Sequence, residues 1–269
     1  MNKFFLAISN IIIIVFFTNI PISIAASTIV LPIKPTQLKS SNIKILVYHS
    51  IAPTPDKKES ALVLHYRVTP NVFDAQMKYL KDNGYHTITL GILEQSLVNG
   101  IVLPDKDIVL TFDDGWKNQY TYGLPILEKY GFTGTFGIIT ENMGKSKMTW
   151  DDIKNLNLKG FEIASHSVTH PFLTMISDKQ LVNEITLSKK TLEEKIGKTI
   201  KTFIYPYYKD NANAMKVVKD AGYIGASAGW GKFNNTIEHI YELVSQEVVN
   251  NPNPFSNKRL MDSETILDI

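Results

Sequence analysis

The chain is 269 residues long, 44% hydrophobic and 20% charged, with a formal net charge of +2 and no cysteine. That is enough apolar material for one sizeable α/β domain. The near-neutral charge argues against a nucleic-acid binder that relies on phosphate neutralisation, and the missing thiols exclude a disulfide framework, a lipobox and thiolate chemistry.

The first element in chain order is a targeting segment. Lys3 gives a short positive start, Phe4 to Ile20 is almost wholly apolar, and Ser23-Ile24-Ala25-Ala26 offers small residues for cleavage. This predicts a secretory signal peptide over residues 1–26. The competing reading is an uncleaved anchor, because the apolar stretch approaches the length that spans a bilayer. Export without cysteine fits a bacterial envelope protein, periplasmic or extracellular, that touches the membrane only through this segment. Residues 27–42, rich in Pro, Ser, Thr and Lys, read as a linker.

From residue 43 to about 250, short apolar runs alternate with helical patterns. The runs are Ile43–Tyr48, His86–Thr89, Ile108–Phe112, Gly134–Ile138, Phe161–Ser165, Thr202–Tyr205 and Tyr223–Ala226, with Leu243–Val249 as a candidate for one more strand. Their length and bounding turn residues suit strands buried on both faces. Thr69-Pro70 opens a helix carrying Phe73, Met77 and Leu80 on one face, stopped at Asn83-Gly84. Thr149 to Asp152 and Ser177 to Gln180 read as capping boxes, the second followed by an inner stripe of Leu181, Ile185, Leu192 and Ile196. The pattern predicts a single α/β domain, a (β/α) barrel of about seven parallel strands, with a polar tail over residues 251–269.

In such architectures functional side chains gather at the carboxyl ends of strands. There the chain places Thr111-Phe112-Asp113-Asp114-Gly115 after one strand and His166-Ser167-Val168-Thr169-His170 after another. Alone, Asp-Asp-Gly is usually a turn, and two histidines four apart are a weak signal. Together, one carboxylate and two imidazoles make a three-ligand site for a divalent metal with an open position, and the spare carboxylate is free to act as a base. Pro171 directly after His170 predicts a tight loop there. The same rule brings His49, Thr140, Glu141 and Tyr205-Pro206-Tyr207 to this face. His65, His86 and His239 have no such context, and Trp150 belongs to a helix start.

These residues resemble the polysaccharide deacetylase family (carbohydrate esterase family 4, the NodB homology domain), closest to its exported poly-N-acetylglucosamine deacetylase branch. The resemblance runs from about Lys44 to about Ser227. It also takes in Leu46-Val47-Tyr48-His49, Phe73 to Leu80 with Gly84-Tyr85, and Phe203-Ile204-Tyr205-Pro206-Tyr207. It implies a deformed barrel that removes N-acetyl or O-acetyl groups from a polysaccharide with one divalent ion, most often Zn2+, with Co2+, Ni2+ or Mn2+ also used. Carried over, Asp114, His166 and His170 are the metal ligands and Asp113 is the base that takes a proton from the attacking water, its carboxylate diverging from that of Asp114 because neighbours in an extended segment face opposite ways.

Two departures stand out. The third motif lacks the arginine that pairs with the catalytic aspartate in many members, and no late Leu-x-His is present. In the branch with permuted motif order the general acid is a Tyr-His pair at the first strand, which His49 matches. Tyr205, Pro206, Tyr207 and Trp116 are candidate sugar contacts, with the Tyr207 amide a candidate oxyanion donor. The substrate is then an acetylated polysaccharide. Two other readings remain open, a catalytically impaired carbohydrate-binding module on the same fold and a deacetylase of non-sugar amides.

Overall fold

The structure, a computed structural model, describes residues 40–54, 66–141, 143–229, 235–251 and 253–255. The signal segment, nearly all of the linker and most of the polar tail lie outside the described residues, as does His65. No helix among the described residues is long and apolar enough to cross a membrane.

Eight parallel strands carry the fold: β1 (Lys44–Tyr48), β2 (His86–Ile88), β3 (Asp107–Phe112), β4 (Thr135–Ile138), β5 (Glu162–Ser165), β6 (Thr202–Ile204), β7 (Gly225–Gly229) and β8 (Leu243–Glu247). Seven of them close a ring in the order β1-β8-β7-β6-β5-β4-β3 and back to β1. The Leu243–Val249 run therefore completes the barrel, while the His86–Thr89 run stands outside it. β2 pairs with the first half of β3, through Asp107 to Val109, and β4 takes over at Thr111 and Phe112. This fork, on one edge of β3, is where the barrel is deformed.

Among the described residues, six α-helices surround the barrel: α1 (Pro70–Asp82), α2 (Leu90–Asn99), α3 (Leu124–Tyr130), α4 (Trp150–Leu158), α5 (Asp178–Ile196) and α6 (Ala212–Asp220). Their starts follow the predicted chemistry. Thr69 caps α1, and reciprocal capping boxes open α4 (Thr149 with Asp152) and α5 (Ser177 with Gln180). α2, which follows the outlying strand, closes the amino end of the barrel. Its Leu90, Leu93 and Leu97 join Ile45, Val109, Ala164, Ile204 and Leu243 in one buried cluster. The Leu90 amide donates to Thr135 Oγ1 and the Gly91 amide to Glu162 Oε2, both 2.9 Å, at the first residues of β4 and β5. A Cβ at position 91 would lie 2.2 Å from Glu162 Oε1, so any larger residue there would have to displace the Glu162 carboxylate.

Alternation along the strands sorts the remaining core. Val109 faces inward, whereas Leu110 and Phe112 join Phe73, Phe136 and Phe203 in the layer between strands and helices. With one end closed by α2, a cavity is left at the carboxyl end.

Candidate metal centre

Strand register delivers the first two functional groups. Asp113 continues the inward series Val109, Thr111, and His166 continues inward from Ala164. Gly137 on the intervening β4 lies between them: a Cβ there would be in ordinary contact with Asp113 Oδ1 and the His166 Cβ, both at 3.6 Å, and would crowd Ile204 Cδ1 at 3.1 Å.

The next residues leave the extended path. Asp114 has φ 73° and Gly115 φ 65°, so a left-handed turn swings the second carboxylate across the barrel mouth. The two aspartates thus diverge through this turn, and strand alternation, which would require an extended Asp114, is not the cause. The segment after β5 is the tight loop that Pro171 predicts, with Ser167 at φ 65° and His170 at φ 62°.

Asp114, His166 and His170 converge. His170 Nε2 lies 3.1 Å from His166 Nε2 and 3.3 Å from Asp114 Oδ1, and His166 Nε2 lies 3.5 Å from the same oxygen. Three ligand atoms about 2.1 Å from a common centre at tetrahedral angles stand about 3.4 Å apart. The triangle therefore fits a small divalent cation, and these three form the candidate metal-holding group among the described residues. The surroundings orient the ligands. His166 Nδ1 is 2.8 Å from the Ile204 carbonyl, which fixes the tautomer with Nε2 free, and Trp116 Nε1–H donates to Asp114 Oδ2 at 2.9 Å. The Lys147 ammonium sits 3.3 Å above the centre of the Trp116 ring.

The charges are arranged accordingly. Burial pushes Asp114 upward, but the hydrogen bond and charge of His166, then His49 and Lys147, hold its carboxyl well below the usual range. Burial and the neighbouring His166 lower His170 to about 3, so its nitrogen is a free donor at neutral pH. Burial pulls His166 down, yet hydrogen bonding to Asp114 and the two aspartate charges leave it raised overall. A cation there would compete with a proton for His166 Nε2.

Asp113 is outside the triangle. Its carboxyl is 1% exposed, and Oδ1 has no hydrogen-bond partner among the described residues. Burial raises it to about 7, with His166 opposing and the charges of Asp114 and Glu247 adding. A buried carboxyl poised near neutrality beside a candidate metal site has properties that suit a general base.

All of this lines one cavity of about 830 Å³, whose wall includes His49, Tyr66, Trp116, Tyr122, Tyr205, Tyr207 and Tyr208. His49 sits with Nε2 3.2 Å from the Tyr208 hydroxyl. Tyr207 and Tyr208 both have φ 57°, which turns Tyr207 outward, 44% exposed, against His170 at 4.5 Å between ring centres. Tyr205 is buried, packed edge-on to Phe203. Pro206 is buried as well and is not part of the cavity wall. Thr140 and Glu141 instead bond through their amides to the carbonyls of Ser167 and Val168.

Some participants escape sequence reasoning. Gln119 opens a π-helical turn (Gln119–Gly123), and its buried side chain donates to the carbonyls of His49 and Asp113, both at 2.6 Å, tying two strand ends together. Glu184, on α5, bonds to the His166–His170 loop. Its signal in the sequence is a carboxylate on the largely apolar inner stripe of α5.

Comparison with known proteins agrees with this architecture. Residues 101–226 match the family model described as polysaccharide deacetylase. YxkH of Bacillus subtilis (strain 168), assigned to the polysaccharide deacetylases, is 30% identical over 186 residues, which are 69% of this chain and 63% of that protein's own length. The poly-beta-1,6-N-acetyl-D-glucosamine N-deacetylase of Staphylococcus aureus (strain N315) is 24% identical over 217 residues, 75% of this chain and 70% of its own. Among solved structures, the Streptococcus pyogenes deacetylase PplD in complex with acetate has the same fold, with a TM-score of 0.72, 24% identity, and coverage of 82% of this chain and 97% of that one. Barrel, motif placement and these likenesses together show that the chain belongs to the polysaccharide deacetylase family.

Proposed function

We propose that the protein hydrolyses acetyl groups, N-acetyl on N-acetylglucosamine-type residues, from a polysaccharide of the bacterial cell envelope or its surroundings. The observation that carries this reading is the Asp114–His166–His170 triangle with the buried, unpartnered Asp113 oxygen beside it in one cavity. Aromatic walls suit the apolar faces of pyranose rings. The relative from Staphylococcus aureus, named for poly-β-1,6-N-acetylglucosamine, supports the choice of glycan. Zn2+ is the ion the donor set favours, with Co2+, Ni2+ and Mn2+ as alternatives.

When bound, such an ion supplies a Lewis acid that polarises the acetyl carbonyl and lowers the pKa of a water molecule. The protein's own groups then divide the work. Asp113 accepts the proton of the attacking water as the new C–O bond forms. The Tyr207 amide donates to the developing oxyanion. His49 protonates the departing amine as the C–N bond breaks, leaving acetate. Tyr207 and Trp116 bound the sugar, the buried Tyr205 backs the cavity wall, and Trp116 additionally steadies Asp114. Export is through residues 1–26.

The test is acetate release from N-acetylglucosamine oligomers, with chelator and after restoring each ion in turn. No release from any acetylated glycan under any ion would refute the proposal. Release from small acetamides but not from glycans would move the enzyme to non-sugar amides.

A further inference from the structure

We propose that Glu184 is a positioning residue for the metal centre, holding the loop between His166 and His170 in the shape that brings His170 to the cation. The inference rests on the metal-site reading above. Glu184 Oε2 accepts from the amides of Val168 at 2.8 Å and Thr169 at 2.9 Å, and Oε1 accepts from Thr169 Oγ1 at 2.8 Å. One carboxylate thus satisfies three donors between the two histidines. Ser167 Oγ, accepting from the His170 amide at 2.9 Å, completes the set.

The loop needs this support. Ser167 and His170 both adopt left-handed backbone without being glycine, and such conformations persist where the surroundings over-determine them. The two ligands also differ in how they are held. His166 is anchored by its strand and by the Ile204 carbonyl. Among the described residues, the ring nitrogens of His170 have polar contacts with Asp114 and His166 alone, so the loop is what places them. Glu184 is itself fixed, because one turn later Ser188 Oγ bonds to Ser165 Oγ at 2.7 Å and locks α5 to the end of β5. The chain of constraint runs from the α5 register through Glu184 and the loop to His170.

The experiment compares full-length wild type with Glu184→Leu and Glu184→Gln, reading Zn2+ affinity by competition with a chromophoric chelator and the Co2+ absorption spectrum. Leucine keeps the bulk and removes all three acceptor contacts, so affinity should fall about 10–100-fold with an altered Co2+ spectrum. Glutamine has an oxygen for the two amides and an NH2 for Thr169 Oγ1, so it should stay within about threefold of wild type and keep the spectrum. If the leucine variant does not fold, Glu184→Asp, which keeps the charge but withdraws the carboxylate by one methylene, is read in its place with the same expectation. Unchanged affinity and spectrum with only a lowered melting temperature would mean Glu184 is merely structural and would overturn the inference. Failure of wild type to bind either ion would instead overturn the metal-site reading itself.

Discussion

Glu94 on α2 should make the barrel's stability fall with rising pH, and Glu94→Gln should remove that dependence. Thr202 Oγ1 carries one hydrogen, yet it lies 2.8 Å from Glu94 Oε2 and 3.1 Å from Glu162 Oε1. The other oxygen of Glu162 already accepts two hydrogen bonds, from Thr135 Oγ1 at 2.7 Å and from the Gly91 amide at 2.9 Å. Two ionised carboxylates would set lone pairs against each other across Thr202, so Glu94 holds a proton and donates it. Its surroundings agree. Burial raises its pKa well above 4.5 and the charge of Glu162 adds to this; the Thr202 hydroxyl would oppose the shift only by donating to Glu94, and its hydrogen goes to Glu162 instead. The sign follows from linkage. The folded protein keeps a proton that the unfolded chain releases near 4.5. The stabilisation is therefore complete below that pH and is lost as pH rises from there through the folded value. Within that window the loss is about 1.4 kcal/mol per pH unit, or roughly 3–6 °C in melting temperature for a domain of this size. The glutamine side chain would mimic the protonated acid, its NH2 donating to Thr202. Melting temperatures of the two proteins between about pH 5 and 8 provide the assay, and Asp113, common to both, cancels in the difference. Wild type and variant should melt within a few degrees of each other at the acid end, and the variant should gain steadily above it. A gap that stays constant or narrows as pH rises would refute the proton count.

Three further outcomes concern the site. Asp113→Asn should slow acetate release about 100- to 10,000-fold while the purified protein still binds its ion, as measured by chelator competition; loss of the ion would mean the two aspartate roles are exchanged. Trp116→Phe deletes the donor to Asp114 Oδ2 and should weaken ion affinity about 10–100-fold, an effect to be separated from turnover at saturating ion. His49→Ala should cost about 100-fold or more in the rate of amine release, and a rate within about twofold of wild type would remove His49 from the chemistry.

Much of the site was legible because it follows local rules. Period-two alternation and the strand-end rule bring Asp113, His166 and His49 to one mouth, and the capping boxes at Thr149 and Ser177 mark helix starts without reference to the fold. What escaped the sequence depends on partners far along the chain. Nothing within His86–Ile88 says that its neighbour β3 will already be shared with β1 and β4, so an outlying strand reads like a ring strand. The reverse holds for Leu243–Glu247, whose weak pattern is completed by pairing with β7 and β1. Asp114 leaves the extended path only because the turn at Gly115 lets it, and Gln119 matters only once β1 and β3 lie side by side. Pro206 sits between two tyrosines on the cavity wall and still faces away from it.

Among the described residues, six non-glycine positions have left-handed backbone: Asp114, Lys145, Ser167, His170, Tyr207 and Tyr208. Five belong to the site, and the sixth adjoins Ser146 on the cavity wall. Such conformations cost on the order of 1–3 kcal/mol each, which glycine would relieve. Selection for stability and selection for turnover therefore pull in opposite directions at the same few codons. Of the five site positions, Ser167 and Tyr208 are the telling pair, since neither is a candidate metal ligand nor, like Tyr207, given a part in the proposed chemistry. In descendants of this protein that no longer need to catalyse, these two positions should drift to glycine or asparagine before any core residue changes.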